Sequence, residues 1–200
     1  MSHFKIEWVE KYTNSKSVFF DIGSYDGKVS LKFKNFYNNS NIFAFESDSF
    51  LFEKMSKNPK LKNIEIINKV VSDIDGEIIF YSNTGKKRGC GSIHEPNDRI
   101  YKFKDLSFDS GKLTKSTRID TFCLNKKIEH IDVIHMDVQS AEYEVLLGMG
   151  EITCDMIFLE VSALNFYKNS KSTREFLISK NYKQIDISNI TKGDELWIKK

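Results

Sequence analysis

Short runs rich in β-branched and aromatic residues alternate with longer amphipathic stretches through most of this chain, and that alternation is the pattern of an α/β protein built on a parallel sheet. Residues 17–22 (SVFFDI), 41–45, 64–71, 131–136 (IDVIHM) and 156–161 (MIFLEV) read as strands. A helix after residue 27 carries Val29, Leu31, Phe33, Phe36 and Tyr37, and one over 50–58 turns Phe52 and Met55 inward before Pro59 stops it. Further helices are expected over 141–147 and over 174–180, the latter with Phe176 and Leu177 inward. The rhythm breaks at Asp73-Ile-Asp-Gly76, a turn signal before residues 77–81, which read as an extra antiparallel strand folding back on the edge of the sheet. Residues 82–118 are polar and poor in periodic runs, so they are expected to form an inserted lid or substrate loop. The chain ends in a hairpin, 182–187 and 196–199 around Gly193. Without an internal repeat or a flexible linker, its 200 residues are expected to form a single domain over 1–200.

Composition excludes several classes. The chain is 40% hydrophobic, with 16 Phe, 8 Tyr and 2 Trp, enough to close a core and to exclude general disorder. Thirty Lys and Arg against 28 Asp and Glu leave a net charge of +2, too balanced to mark a DNA-binding or membrane-surface protein. Cys90, Cys123 and Cys154 are far apart and show no CxxC spacing, which suits a reduced, cytoplasmic setting. The beginning, MSHFKIEWVEKY, is charged, and no apolar run approaches ~18 residues, so neither secretion nor a membrane span is expected.

The first strand runs into Asp21-Ile-Gly23-Ser24-Tyr25-Asp26-Gly27, a glycine turn opening a helix at the carboxyl edge of the sheet, where open α/β sheets bind ligands. Gly23 permits a tight turn and close ligand approach, Gly27 permits close helix packing, and Asp21 is expected to meet an ammonium group. Tyr25 stands where a diphosphate-binding turn needs glycine, which disfavours a dinucleotide. It could lie over a cationic sulfur or merely plug the turn. Glu46 ends the second strand, 25 residues beyond Asp21, placed to accept both hydroxyls of a ribose. Two acidic strand ends beside such a turn suit a cationic nucleoside such as S-adenosylmethionine.

With these residues in place, the sequence resembles the class I S-adenosylmethionine-dependent methyltransferases and, within them, the FkbM family. The sharpest match is Ile131-Asp-Val-Ile-His-Met-Asp137-Val-Gln-Ser-Ala-Glu142-Tyr-Glu-Val-Leu-Leu-Gly148, similar to the family's I-D-x-x-K-x-D-V-E-G-x-E-x-x-V-L-x-G. The glycine turn, Glu46, Asp75-Gly76, Arg118-Ile-Asp120-Thr-Phe and Phe158-Leu-Glu160 support it. Gln139-Ser140 replaces the family's usual Glu-Gly, His135 its Lys, and Tyr25 a common Asn. The resemblance implies a Rossmann-like, mostly parallel seven-strand sheet in the order 3-2-1-4-5-7-6. It also implies S-adenosylmethionine as cofactor, with adenine near Ser47 and Ser72-Asp73.

Methyl transfer to a hydroxyl needs positioning within ~3–3.5 Å and a base. Asp137 and His135 are two apart on one strand and share a face, so either could take the proton, with Asp137 favoured at the strand's edge. His135 could instead be a core histidine. Glu160 ends the next strand over the same cleft, and Glu142 opens a helix, where an acid also suits the helix dipole. His94 could touch an acceptor or simply be solvated. The histidines have no metal-binding spacing, and no metal site is expected. The segment 82–118 holds nine Lys or Arg against four acids, which would draw an anionic acceptor, although a solvated face explains it as well. The expected activity is O-methylation of a small molecule or glycan. The rivals are a non-catalytic cofactor-binding or partner module, and an RNA or protein methyltransferase.

Overall fold

A computed structural model describes residues 4–86, 88–97, 104–161, 170–187 and 193–200. Its main sheet runs β3 (Glu65–Ile67), β2 (Asn41–Phe45), β1 (Val18–Ile22), β7 (His130–Met136), β8 (Thr153–Glu160), β10 (Asp194–Lys199) and β9 (Tyr182–Ile185). The first five are parallel, and β10 is antiparallel to both β8 and β9. Counted along the main sheet, this is the expected order 3-2-1-4-5-7-6. The central strands can be apolar on both faces because both are covered. Phe20, Ile22, Ile134, Met136 and Leu159 meet Val145 and Leu146 of α4 (Glu142–Leu147) on one side. Phe19, Val133, Met156 and Phe158 meet Phe33 of α1 (Lys28–Phe36), Met55 of α2 (Ser49–Ser56) and Phe4 on the other.

The expected third strand divides. Glu65–Ile67 stays on the main sheet, whereas β4 (Val70–Val71) joins β6 (Lys112–Thr117) and β5 (Gly76–Phe80) in a separate sheet of order β4-β6-β5. The division falls at Asn68, whose side-chain amide donates to the carbonyls of Glu46 and Ser47 and ties the chain to the end of β2 (2.8 and 3.2 Å). The expected edge extension is therefore a small sheet of its own, and its middle strand lies inside the segment read as an inserted loop. That strand is KLTKST, polar because its first four residues are largely solvent-exposed.

A helix after β6 was not expected. In α3 (Ile119–Lys126) only Ile119, Phe122 and Cys123 are buried, too few to give a clear helical periodicity, and Phe122 packs its ring on Phe20, Phe43 and Phe45. In α2 the buried positions are Leu51 and Met55, with Phe52 half-buried, because the Asp48 carboxylate caps the helix by accepting from Leu51 N (3.0 Å) and sets its rotation. In α5 (Ser170–Ser179) Leu177 is buried and Phe176 half-buried. Among the described residues, no helix is long and apolar enough to cross a membrane.

Candidate active site

The chain switches direction across the sheet between β1 and β7, and there the ends of β1, β2 and β7 border a cavity that opens to solvent. Gly23, Glu46, Ser47, Lys69 and Asp137 line it from the sheet side. Asn83, Gly89, Gly91 and Ile93 line it from above, so the inserted segment roofs the cavity.

Glu46 is buried at the end of β2, its Oε2 accepting from Tyr25 N (2.7 Å) and its Oε1 from Asp48 N (2.8 Å). Burial pushes its carboxyl up to about 8 despite those two donors. Each oxygen keeps a second acceptor site for a ligand hydroxyl. Gly23 has φ +81, and a Cβ there would sit 2.1 Å from the carbonyl oxygen of Asp137, so only glycine lets the turn meet the end of β7. Gly27, at φ +72, presses against Leu61 and Met55. Tyr25 is held at φ +56, and Gly89 of the roof lies against its ring, at the rim of the turn.

Asp21 does not reach the cavity. It is completely buried, accepts from the backbone and hydroxyl of Ser30 in α1, and meets His135 Nδ1 at 2.8 Å. Its alternation with Phe20 and Ile22 turns it toward the α1 layer, where it ties the helix to β1 and β7. His135 is 2% exposed, stacked on Phe158 and edged by Phe4, so the structure places it in the core and outside the cavity. Ser24 is buried, its hydroxyl donating to the carbonyls of Asp21 and Phe45 (2.8 and 3.1 Å), and it ties the turn to β1 and β2. Ser47 lines the cavity, but Ser72 and Asp73 do not. Because the chain leaves the main sheet after Asn68, Ser72 is buried against Ser116 (3.0 Å) and the Asp73 carbonyl accepts from Arg118 (2.8 Å). Lys69, Val70 and Val71 take the cavity wall instead.

At the opposite end, β7 stops at Met136 and the chain turns through two consecutive left-handed residues, Gln139 (φ +53) and Ser140 (φ +77). This bend accompanies the separation of Asp137, which lines the cavity, from His135 two residues earlier. Gln139 Nε2 donates to Asp137 Oδ1 (2.6 Å). Glu160, at the end of β8, does not line the cavity itself, and burial together with the Asp137 charge pushes its carboxyl up to about 7. Asp194 sits beside Glu160 in the β8–β10 register and adds to that effect. Glu142 is buried, accepts from Ser140 N (3.2 Å) and is pushed by burial up to about 8.

The roof is pinned at both ends. Arg88 lies 4.1 Å above the ring of Phe50 and 3.6 Å from Asp48. At the other end the Ser92 hydroxyl donates to the Gln139 carbonyl (2.9 Å), and His94 Nε2 meets the Ser140 carbonyl (3.1 Å) and Glu144 (3.4 Å). The hydrogen bond to Glu144 holds the His94 imidazole above its ordinary value. Asn83, Arg88, Ser92 and Gln139 were not anticipated as site residues. Only the double replacement Gln139-Ser140 hinted at the last.

A Rossmann-like sheet in this order, with a ligand cavity at its switch point and a buried acid at the end of β2, defines the class of S-adenosylmethionine-dependent methyltransferases. Residues 21–184 match the model of the Methyltransferase FkbM domain, and the chain belongs to that family. It is 28% identical over 168 residues to the 2-O-methyltransferase NoeI of Sinorhizobium fredii, covering 80% of this chain and 69% of NoeI. Its fold is similar to that of an FkbM methyltransferase from Methylobacillus flagellatus (TM-score 0.54, 10% identity), over 93% of this chain but only 44% of the other. It is also similar to Aeropyrum pernix fibrillarin, whose structure holds natively bound S-adenosyl-L-methionine (TM-score 0.52, 10% identity, 94% of this chain and 66% of that one). S-adenosylmethionine is the cofactor of this chain. The residues fit it: Glu46 offers paired acceptors on the cavity wall, and Gly23 brings bare backbone to the cavity.

Proposed function

We propose that this chain acts as one methyltransferase domain and transfers the methyl group of S-adenosylmethionine to a hydroxyl of a small molecule or glycan. The observation that carries the proposal is Asp137, a carboxylate on the cavity wall just past the end of β7, beside Glu160, whose carboxyl burial and the Asp137 charge raise to about 7. Such a pair can accept a proton near neutral pH. The 2-O- in the name of NoeI supports oxygen as the acceptor atom.

When bound, S-adenosylmethionine supplies a methyl group already activated on a sulfonium. The chain's own contribution is to position, to exclude water and to take up a proton. Glu46 would hold the ribose hydroxyls, Ser47 with Val70 and Val71 would flank the adenine, and Gly23 would let the methionyl end approach the backbone. Asp137 Oδ would receive the acceptor hydroxyl's proton as its oxygen attacks, with Glu160 tuning the affinity for that proton. Asp21, Ser24, Gly27 and His135 would act by fixing the turn and α1. Tyr25 under Gly89 would close the rim. Ser72 and Asp73 would brace the small sheet rather than touch the nucleoside.

Among the basic residues of the inserted segment, Arg88, Lys112 and Arg118 are each paired with an acid of this chain. The three thiols, none of them in a disulfide, suit a cytoplasmic setting. The test is transfer of labelled methyl from S-adenosylmethionine to a cell-extract glycan fraction, with RNA and protein fractions alongside. Label on glycan hydroxyls, reduced about 100-fold or more in Asp137→Asn, is expected. Label on RNA or protein alone, or none at all, would overturn the hydroxyl assignment.

A further inference from the structure

We propose that Gln139 is a positioning residue that couples closure of the roof over the cofactor to alignment of Asp137; this rests on Asp137 being the group that takes the acceptor's proton. Gln139 makes both connections. Its side-chain amide donates to Asp137 Oδ1 at 2.6 Å, and its carbonyl accepts from Ser92 of the roof at 2.9 Å. Against a carboxylate only the NH2 end of the amide can serve, so the direction of the first bond is fixed. The turn that aims it is unfavourable in itself, because Gln139 and Ser140 are both left-handed and neither is glycine. Three bonds hold the turn: Ser92 to the Gln139 carbonyl, His94 to the Ser140 carbonyl, and Ser140 N to Glu142. Two of the three come from the roof, whose Gly91 and Ile93 line the cavity between them and the cofactor.

A lifted roof would leave two carbonyls without those partners and let the turn relax, carrying the amide off Asp137. Asp137 is then aligned only when the roof is down, and water has least access at the moment the base is competent. The chemistry of the replacement agrees. The family string to which this segment is similar has Glu at this position. Here a second carboxylate would face Asp137, whose charge already raises the carboxyls of both Glu160 and Glu142. An amide donates where a carboxylate would repel, which holds the Asp137 carboxyl in one orientation.

The test is a carboxyl 13C NMR titration of the protein saturated with S-adenosylhomocysteine, in the wild type, Gln139→Leu and Ser92→Ala, with affinity for S-adenosylhomocysteine measured on each by calorimetry. In the wild type the Glu160 step is expected near 7. Removing the donor should raise that step by about one pH unit in Gln139→Leu, which keeps the side-chain bulk. Ser92→Ala, with Gln139 intact, should raise it by a smaller amount; should the leucine variant fail to fold, this variant decides alone. A step in Ser92→Ala superimposable on the wild type would overturn the coupling. A step unmoved in Gln139→Leu would overturn the positioning role. A wild type that fails to bind S-adenosylhomocysteine at all would overturn the cofactor assignment itself, an outcome distinct from the other two.

Discussion

Glu46 shows how a single side chain reports on its ligand. Its carboxyl is pushed to about 8 by burial, so near pH 7 the empty site holds it mostly protonated. Ribose hydroxyls donating to it would favour the ionised form, so binding of S-adenosylhomocysteine should expel a proton. Two results follow: the binding enthalpy measured at pH 7 varies with the ionisation enthalpy of the buffer, and affinity tightens from pH 6 to 8 and levels off above. The same burial has a consequence for stability. Glu46 and Glu142 both lie near 8 when folded against an ordinary 4.5, so they hold their protons better folded than unfolded. Below about 4.5 they cost nothing; from there to about 8 the unfolded chain loses its protons first, and stability declines. Thermal midpoints of the ligand-free protein should therefore fall between pH 5 and 8. Glu142→Gln keeps an acceptor for Ser140 N but cannot ionise, and should flatten the fall and raise the midpoint at pH 8 by roughly 3 °C or more. At this scale residue types were legible and directions were not. Asp21 and Glu46 both end strands beside one turn, yet alternation along β1 sends Asp21 into the α1 layer while Glu46 lies on the cavity wall.

Elements meet at this site through bare backbone. A Cβ on Gly23 would strike the Asp137 carbonyl, so Gly23→Ala must force β1 and β7 apart at their ends. We expect a loss of about 2 kcal/mol or more in chemical denaturation, together with loss of S-adenosylhomocysteine binding. The glycine turn, the long central strands and the terminal hairpin were readable because each carries a strong local signal. β6 and α3 were not. The first is mostly exposed and polar, and the second buries only Ile119, Phe122 and Cys123, so neither prints a periodicity. The division of the third strand turns on Asn68 bonding to β2, a tertiary contact that no run of β-branched residues announces.

For the whole molecule, the roof crosses the cavity from Arg88 over Phe50 to His94 on Ser140 and Glu144, so ligand binding should stabilise far more than one corner of the fold. At a hundredfold excess over its dissociation constant, S-adenosylhomocysteine should add about 2.7 kcal/mol and raise the thermal midpoint by roughly 5–10 °C. The overall architecture was the most legible level of all, since five parallel strands and an antiparallel ending leave few ways to cover both faces of a sheet. What was hidden was how the inserted segment folds over the cavity at the switch point. The most direct measurement is a calorimetric titration of S-adenosylhomocysteine into the wild type and Glu46→Ala. Micromolar or tighter binding in the first, weakened about 100-fold in the second, is the expected result. No binding to the wild type, or equal binding to both, would contradict the placement of the cofactor in this cavity.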